Sequence, residues 1–165
     1  MSDSHSVTVT WEDPDIVAQA ARSMKGLEFL QKIANGEVPP PPIMQLINFQ
    51  GAEVSEGKAV FKCTPDERHY SVLAMVHGGV AATLLDTAMA CAIHSLLPAG
   101  IGYTTLELHV NYVRPLTIKT GEIRCEGEVI HLGRTVATAQ ARIVDAAGKL
   151  YAHATTTCMI LRPTE

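Results

Sequence analysis

Residues Val76–Leu97 read VHGGVAATLLDTAMACAIHSLL, and this stretch decides the fold. Asp86 is its single Asp, Glu, Lys or Arg residue. A run this apolar, with no polar face, predicts a helix covered on all sides by the rest of the chain. A membrane span is the competing reading at this length. It is set aside because two glycines, Asp86, His94 and several Ala and Thr residues dilute the run, and basic flanks and aromatic anchors are missing. A carboxylate on such a helix costs free energy unless it is hydrogen-bonded, paired or wet. Asp86 is therefore the leading functional candidate.

The chain after this helix changes period. Tyr103–Val113, Gly121–His131, Thr135–Val144 and Leu150–Leu161 are rich in alternating or β-branched apolar residues, with breaks at Arg114-Pro115, Leu132-Gly133-Arg134 and Asp145–Lys149. They predict a meander of four long antiparallel strands. Before the helix, Ile43–Phe49 and Lys58–Cys63 read as two strands around a turn at Gly51–Gly57. The expected fold class is α+β, one helix lying against an antiparallel sheet. Two regions are expected: 1–42, with a tail, a helix and a proline linker, and 43–165, the folded domain. In the first, Asp13-Pro14-Asp15 reads as an N-cap followed by Pro at N1, and helical spacing continues past a possible break at Gly26 to a C′ position at Gly36. Pro39–Pro42 is expected to be an extended spacer.

Composition narrows the function. The 165 residues are 47% hydrophobic and 18% charged, enough for one domain with a core. The net charge is −4, with no basic run, which argues against nucleic acid as a partner. Cys63, Cys91, Cys125 and Cys158 show no CxxC spacing, and the start MSDSHSVTVTWEDPD has neither a basic nor an apolar signal region. Reduced thiols and a cytoplasmic location are the expectation, with no membrane attachment.

Three further features bear on chemistry. His77-Gly78-Gly79 opens the buried helix, where free N–H groups and the helix dipole favour an anion or oxyanion. Taken alone, two glycines fit a tight turn equally well. Asp86 lies eight residues beyond Gly78, about 12 Å along a helix, so the two act on one atom only if the site lies between two subunits. The seven histidines form no metal-ligand spacing, so neither a metal nor a cofactor is expected, and no P-loop, GxSxG or GxGxxG is present.

The combination VHGGVAATLLDTAMACA, GYTTLELHVNYVRPL and HLGRT resembles the PaaI-type acyl-CoA thioesterases of the hotdog-fold superfamily, over roughly residues 43–161. The resemblance implies a long helix wrapped by a curved antiparallel sheet, an active site at a subunit interface, a homodimer or a pair of dimers, and acyl-CoA as substrate. It implies Asp86 as nucleophile or general base, the Gly78 N–H as oxyanion donor, His77 in support, and Thr105 orienting water or Asp86, with Thr104 beside it as the competing hydroxyl. Gly79 belongs to the same helix start. Arg114, Gly133, Arg134 and Thr135 match the region that holds the nucleotide and phosphates of CoA. Relatives usually carry Asn or Gln six residues before the HGG histidine. Here that position is Ser71, whose hydroxyl is shorter and makes fewer hydrogen bonds, and the usual Pro and Gly are absent. That departure favours the second reading, an acyl-CoA-binding module without turnover. A hotdog hydratase, the third reading, requires an Asp/His arrangement that this chain lacks.

Overall fold

Gly127 sets how close the sheet lies to the helix. A Cβ built on it would sit 2.4 Å from the Ala88 carbonyl oxygen, so only glycine permits this crossing. The computed structural model describes residues 4–162. The elements run α1 (Pro14–Ser23), α2 (Gly26–Ala34), α3 (Pro42–Ile47), β1 (Phe49–Ser55), β2 (Lys58–Cys63), α4 (Gly78–His94), β3 (Gly102–Tyr112), β4 (Ile123–Leu132), β5 (Val136–Asp145) and β6 (Leu150–Leu161). The strands form one antiparallel sheet in the order β1-β2-β4-β5-β6-β3. α4 lies against this sheet, which is the hotdog architecture.

The core is the contact between the two. Leu84, Leu85, Ala88, Met89, Ala92 and Ile93 of α4 are at most 1% exposed. Against them the strands turn every second residue: Ala59, Phe61 and Cys63 from β2, Ile123 and Cys125 from β4, Ala137, Ala139 and Ile143 from β5, Ala154 and Cys158 from β6. Small residues dominate where the strands cross the helix most closely, so the two layers approach to contact distance.

Much of the local structure follows the expected signals. Asp13 caps α1, accepting the Asp15 N–H at 3.0 Å, the helix breaks before Gly26, and Gly36 takes a positive φ of 76° beyond α2. Three expectations are corrected. Ile43–Asn48 is not a strand, and the extended spacer expected over Pro39–Pro42 ends at Pro41: Pro42 opens the short helix α3, and Asn48, at φ 58°, closes it in the left-handed conformation before β1 starts at Phe49. Proline at N1 and asparagine past the C-terminus outweighed the apolar content. The turn expected over Gly51–Gly57 shrinks to Glu56-Gly57, because β1 runs from Phe49 to Ser55. The last four strands are not a simple meander. β4, β5 and β6 are, but β3 pairs with β6 at the edge of the sheet. Alternation gives strand faces but not strand neighbours; in its place beside β2, β4 sets Gly127 over Ala88 of α4.

Gly127→Ala forces the sheet away from α4 at its tightest crossing. It is expected to destabilise the fold by about 2 kcal/mol or more. Urea unfolding measured against wild type checks this.

Candidate active site

The start of α4 is built around two side chains. His77 is the N-cap, its Nδ1 accepting the Gly79 N–H at 2.9 Å, while its own backbone N–H donates to the His69 carbonyl at 2.7 Å. Tyr112, from the end of β3, donates its hydroxyl to the Gly78 carbonyl at 2.9 Å. A Cβ on Gly78 would stand 3.1 Å from that tyrosine ring, so glycine lets the ring close on the helix start. The Gly78 N–H has no partner among the described residues. It is an orphan donor at the positive end of α4.

Asp86 lies two turns further, about 12 Å along the axis. It is half-buried. Thr105 donates its hydroxyl to Asp86 Oδ1 at 3.0 Å. A β-bulge makes this contact possible. The register of β3 against β6 shifts between Thr105 and Glu107, so Leu106 is an extra residue. Before it the odd-numbered Tyr103 and Thr105 turn inward, and after it the even-numbered Leu108 and Val110 do. The bulge thus brings Thr105 to Asp86 and Tyr112 to Gly78 from one strand. It also separates the two candidate hydroxyls: Thr105 turns to the helix, and Thr104 is exposed on the other side.

Asp86 and Thr105 lie at the wall of an apolar cavity of about 440 Å³. Thr87, Ala90, Cys91 and His94 of α4 continue that wall, with Phe29, Leu30 and Ile33 of α2 and Met44 of α3 opposite. Burial pushes the Cys91 thiol up to about 12 and the Cys63 thiol to about 11, so neither is a thiolate at neutral pH. Among the described residues, no three His, Cys, Asp or Glu side chains come together as a metal site, and no helix is long and apolar enough to cross a membrane.

The remaining candidates fall into two groups. Arg114 is exposed beside the helix start; its Nη1 donates to the Leu150 carbonyl at 2.6 Å, and it shares a second cavity of about 410 Å³ with Gly78 and Tyr112. Gly133, Arg134 and Thr135 form the β4–β5 hairpin, where the Gly133 N–H donates to the Val136 carbonyl at 2.8 Å and the Ile160 N–H to the Thr135 carbonyl at 2.9 Å. The hairpin lies by Ile160 at the far end of β6 from Leu150. Ten residues of strand separate them, about 30 Å. One chain therefore does not bring Arg114 and the hairpin together, just as it does not bring Gly78 to Asp86. Ser71 is occupied in a tight turn: its Oγ accepts the Leu73 N–H at 3.3 Å, its N–H donates to the Met75 carbonyl at 2.7 Å, and Ala74 has a φ of 54°. Sequence reasoning missed Tyr112, although its place in NYVRP at the strand end was in view, and it missed the contribution of α2 and α3 to the cavity.

This fold has known counterparts. The thioesterase superfamily matches residues 73–152. A solved protein of that superfamily is 30% identical, covers 83% of this chain and 98% of its own, and superposes with a TM-score of 0.66. The phenylacetic acid degradation protein PaaI of Thermus thermophilus, solved as a point mutant, is 27% identical over 73% of this chain and 99% of its own, with a TM-score of 0.65. A Halobacterium salinarum protein named "putative esterase" is 39% identical over 71 residues, 42% of this chain; that match spans 45% of the relative's length. The protein has a hotdog fold. It belongs to the thioesterase superfamily.

His94 gives the site region a pH signature. It is buried, with no partner for either ring nitrogen among the described residues, and burial holds its pKa below 6.5. The unfolded chain takes up that proton near 6.5, and the folded chain only at lower pH. Stability from this group is complete above about pH 6.5 and falls as the pH drops from there toward the folded value. His94→Phe is expected to reduce the loss of stability between about pH 7.5 and 5. Urea unfolding of both proteins across that range tests it.

Proposed function

We propose that the protein is an acyl-CoA thioesterase, releasing a free acid and CoA, with Asp86 as the reactive carboxylate. The observation that carries this reading is the Thr105–Asp86 hydrogen bond, 3.0 Å long, at the wall of an apolar cavity. Thr105 fixes Oδ1 and leaves Oδ2 for a water or for the substrate carbonyl. As base, Asp86 takes a proton from water, whose oxygen adds to the thioester carbon; as nucleophile, its oxygen adds directly, and water cleaves the resulting anhydride. In either case the carbonyl oxygen gains negative charge, the C–S bond breaks, and the CoA thiolate leaves and is protonated. The orphan Gly78 N–H is suited to the oxyanion, an interaction whose loss costs roughly 3–4 kcal/mol in the barrier.

Two copies are needed. β3 is an unpaired edge of eleven residues, and a long open edge invites pairing. Antiparallel pairing of β3 with β3 of a second copy runs the Tyr112 end of one beside the Thr105 end of the other, by a two-fold axis. The Gly78 of one copy then faces the Asp86 of the other, and Arg114 approaches the hairpin Gly133-Arg134-Thr135, forming a phosphate-binding rim from both chains. His77 and Gly79 keep the helix start in shape.

A binding module without turnover is the second reading. It is favoured by Ser71, whose hydroxyl closes its own turn where an amide would be free to reach a water. Thiol release from acyl-CoA distinguishes the two. Asp86→Asn is expected to lower kcat by about 10²–10⁴-fold with the fold retained, and Thr105→Val by a smaller factor of about ten. Full activity in Asp86→Asn contradicts the mechanism; tight binding of acyl-CoA without hydrolysis by wild type supports the second reading.

A further inference from the structure

Three ring side chains wall part of the cavity beside Asp86, and the N-terminal helices bring one of them. Gly26, at the first residue of α2, is pressed on the last turn of α4: its N–H donates to the Leu97 carbonyl at 3.0 Å, and a Cβ there would lie 1.8 Å from the His94 carbonyl oxygen. This close docking fixes α2 in place. One turn on, Phe29 stands edge-on to the His94 ring, with centroids 5.5 Å apart, and His94 stands against Tyr103 at 5.4 Å. Phe29 and His94 are each 7% exposed, and all three rings line the cavity that Asp86 borders.

We propose that this N-terminal segment is an acyl-length gauge, with Phe29 as the stop that sets the longest chain accepted. The inference rests on the thioesterase reading of Asp86 and adds what selects its substrate. From Asp86 to His94 is eight helix residues, about 12 Å. An extended chain advances about 1.2 Å per bond, as a polypeptide does over three bonds per residue. The distance from the carboxylate to the ring plug therefore takes about ten bonds, the length of a C8–C10 acyl group. Between Asp86 and His94 the lining is mostly apolar, with Phe29, Leu30, Ile33, Met44 and Ala90, so an unsubstituted aliphatic chain is the chemistry it fits. Ala90 lies one turn beyond Asp86, on the same face and in the same cavity. It is the point at which a larger side chain would shorten the cavity.

The test uses S-alkyl-CoA thioethers of four to sixteen carbons, which bind but are not hydrolysed, measured by titration calorimetry, alongside hydrolysis of the matching acyl-CoA esters. Each buried methylene is worth about fourfold in affinity. Affinity for wild type is expected to rise by that factor up to about ten carbons and then stop. In Phe29→Ala the rise is expected to continue, making the tetradecyl compound at least about tenfold tighter relative to the decyl one than in wild type. In Ala90→Leu it is expected to stop at about five carbons. If Phe29→Ala does not fold, Ala90→Leu and the wild-type cut-off still decide the matter. An affinity that climbs without a break to sixteen carbons in wild type, or variants that keep the wild-type length profile, overturns the gauge. Absent hydrolysis with the length cut-off intact in binding overturns the thioesterase reading and leaves the gauge standing.

Discussion

Burial of α4 on every side is the constraint on which the rest of the structure depends. A helix with no polar face has to be covered all round, and one curved sheet covers only part of it. The sheet approaches to contact distance at Gly127 and Ala88, and its inward residues there are mostly Ala, Cys and Gly. On another side α2 presses Gly26 against the His94 carbonyl. Each contact needs a glycine, because a Cβ would occupy the space of a backbone oxygen. Beyond its exposed first turn, the helix is also left partly uncovered at the cavity beside Asp86, so the carboxylate stands where coverage is incomplete.

The bulge at Leu106 turns that gap into a candidate site. Without the register shift, Thr105 and Tyr112 could not both face α4, since their numbers differ by seven and a regular strand alternates faces. With it, one strand holds the carboxylate at one point and the helix start at another. The two points are a fixed distance apart on a rigid helix. On the proposed mechanism, a thioester carbonyl that needs both a reactive oxygen and an N–H donor cannot find them on one chain, and the proposal brings in a second through the unpaired β3 edge.

The sequence made the central helix, its acidic residue and the glycines at its start legible, because those signals are local: an unbroken apolar run, a lone charge, an N-terminal turn. Asp13, Pro14 and Gly36 were likewise readable as cap, first turn and stop. Strand pairing was not, because β3 pairs with β6 for reasons that lie in the packing on α4 and not in its own alternation. Ile43–Ile47 is apolar enough for a strand, and the signals that make it helical are Pro42 before it and Asn48 after it. The ambiguity between Thr104 and Thr105 was resolved only by the bulge. The proline linker and helices before residue 48 carried no motif, yet Phe29, Leu30, Ile33 and Met44 form one wall of the cavity. Their role comes from a long-range contact at Gly26, which no periodicity reveals.

The central claim is that each site takes Asp86 from one chain and Gly78 from another, and subunit complementation tests it most directly. Asp86→Asn removes the carboxylate, and Gly78→Pro removes the N–H, suits the first position of a helix and displaces the Tyr112 ring of the same chain, leaving that chain's Asp86 intact. Each variant alone is expected to be inactive. After the two are unfolded together and refolded, half the dimers are mixed, and in each of these one site unites wild-type Asp86 with wild-type Gly78. The account predicts recovery of about a quarter of wild-type activity in thiol release. A mixture as inactive as its parents, with mixed dimers demonstrably formed, would contradict it.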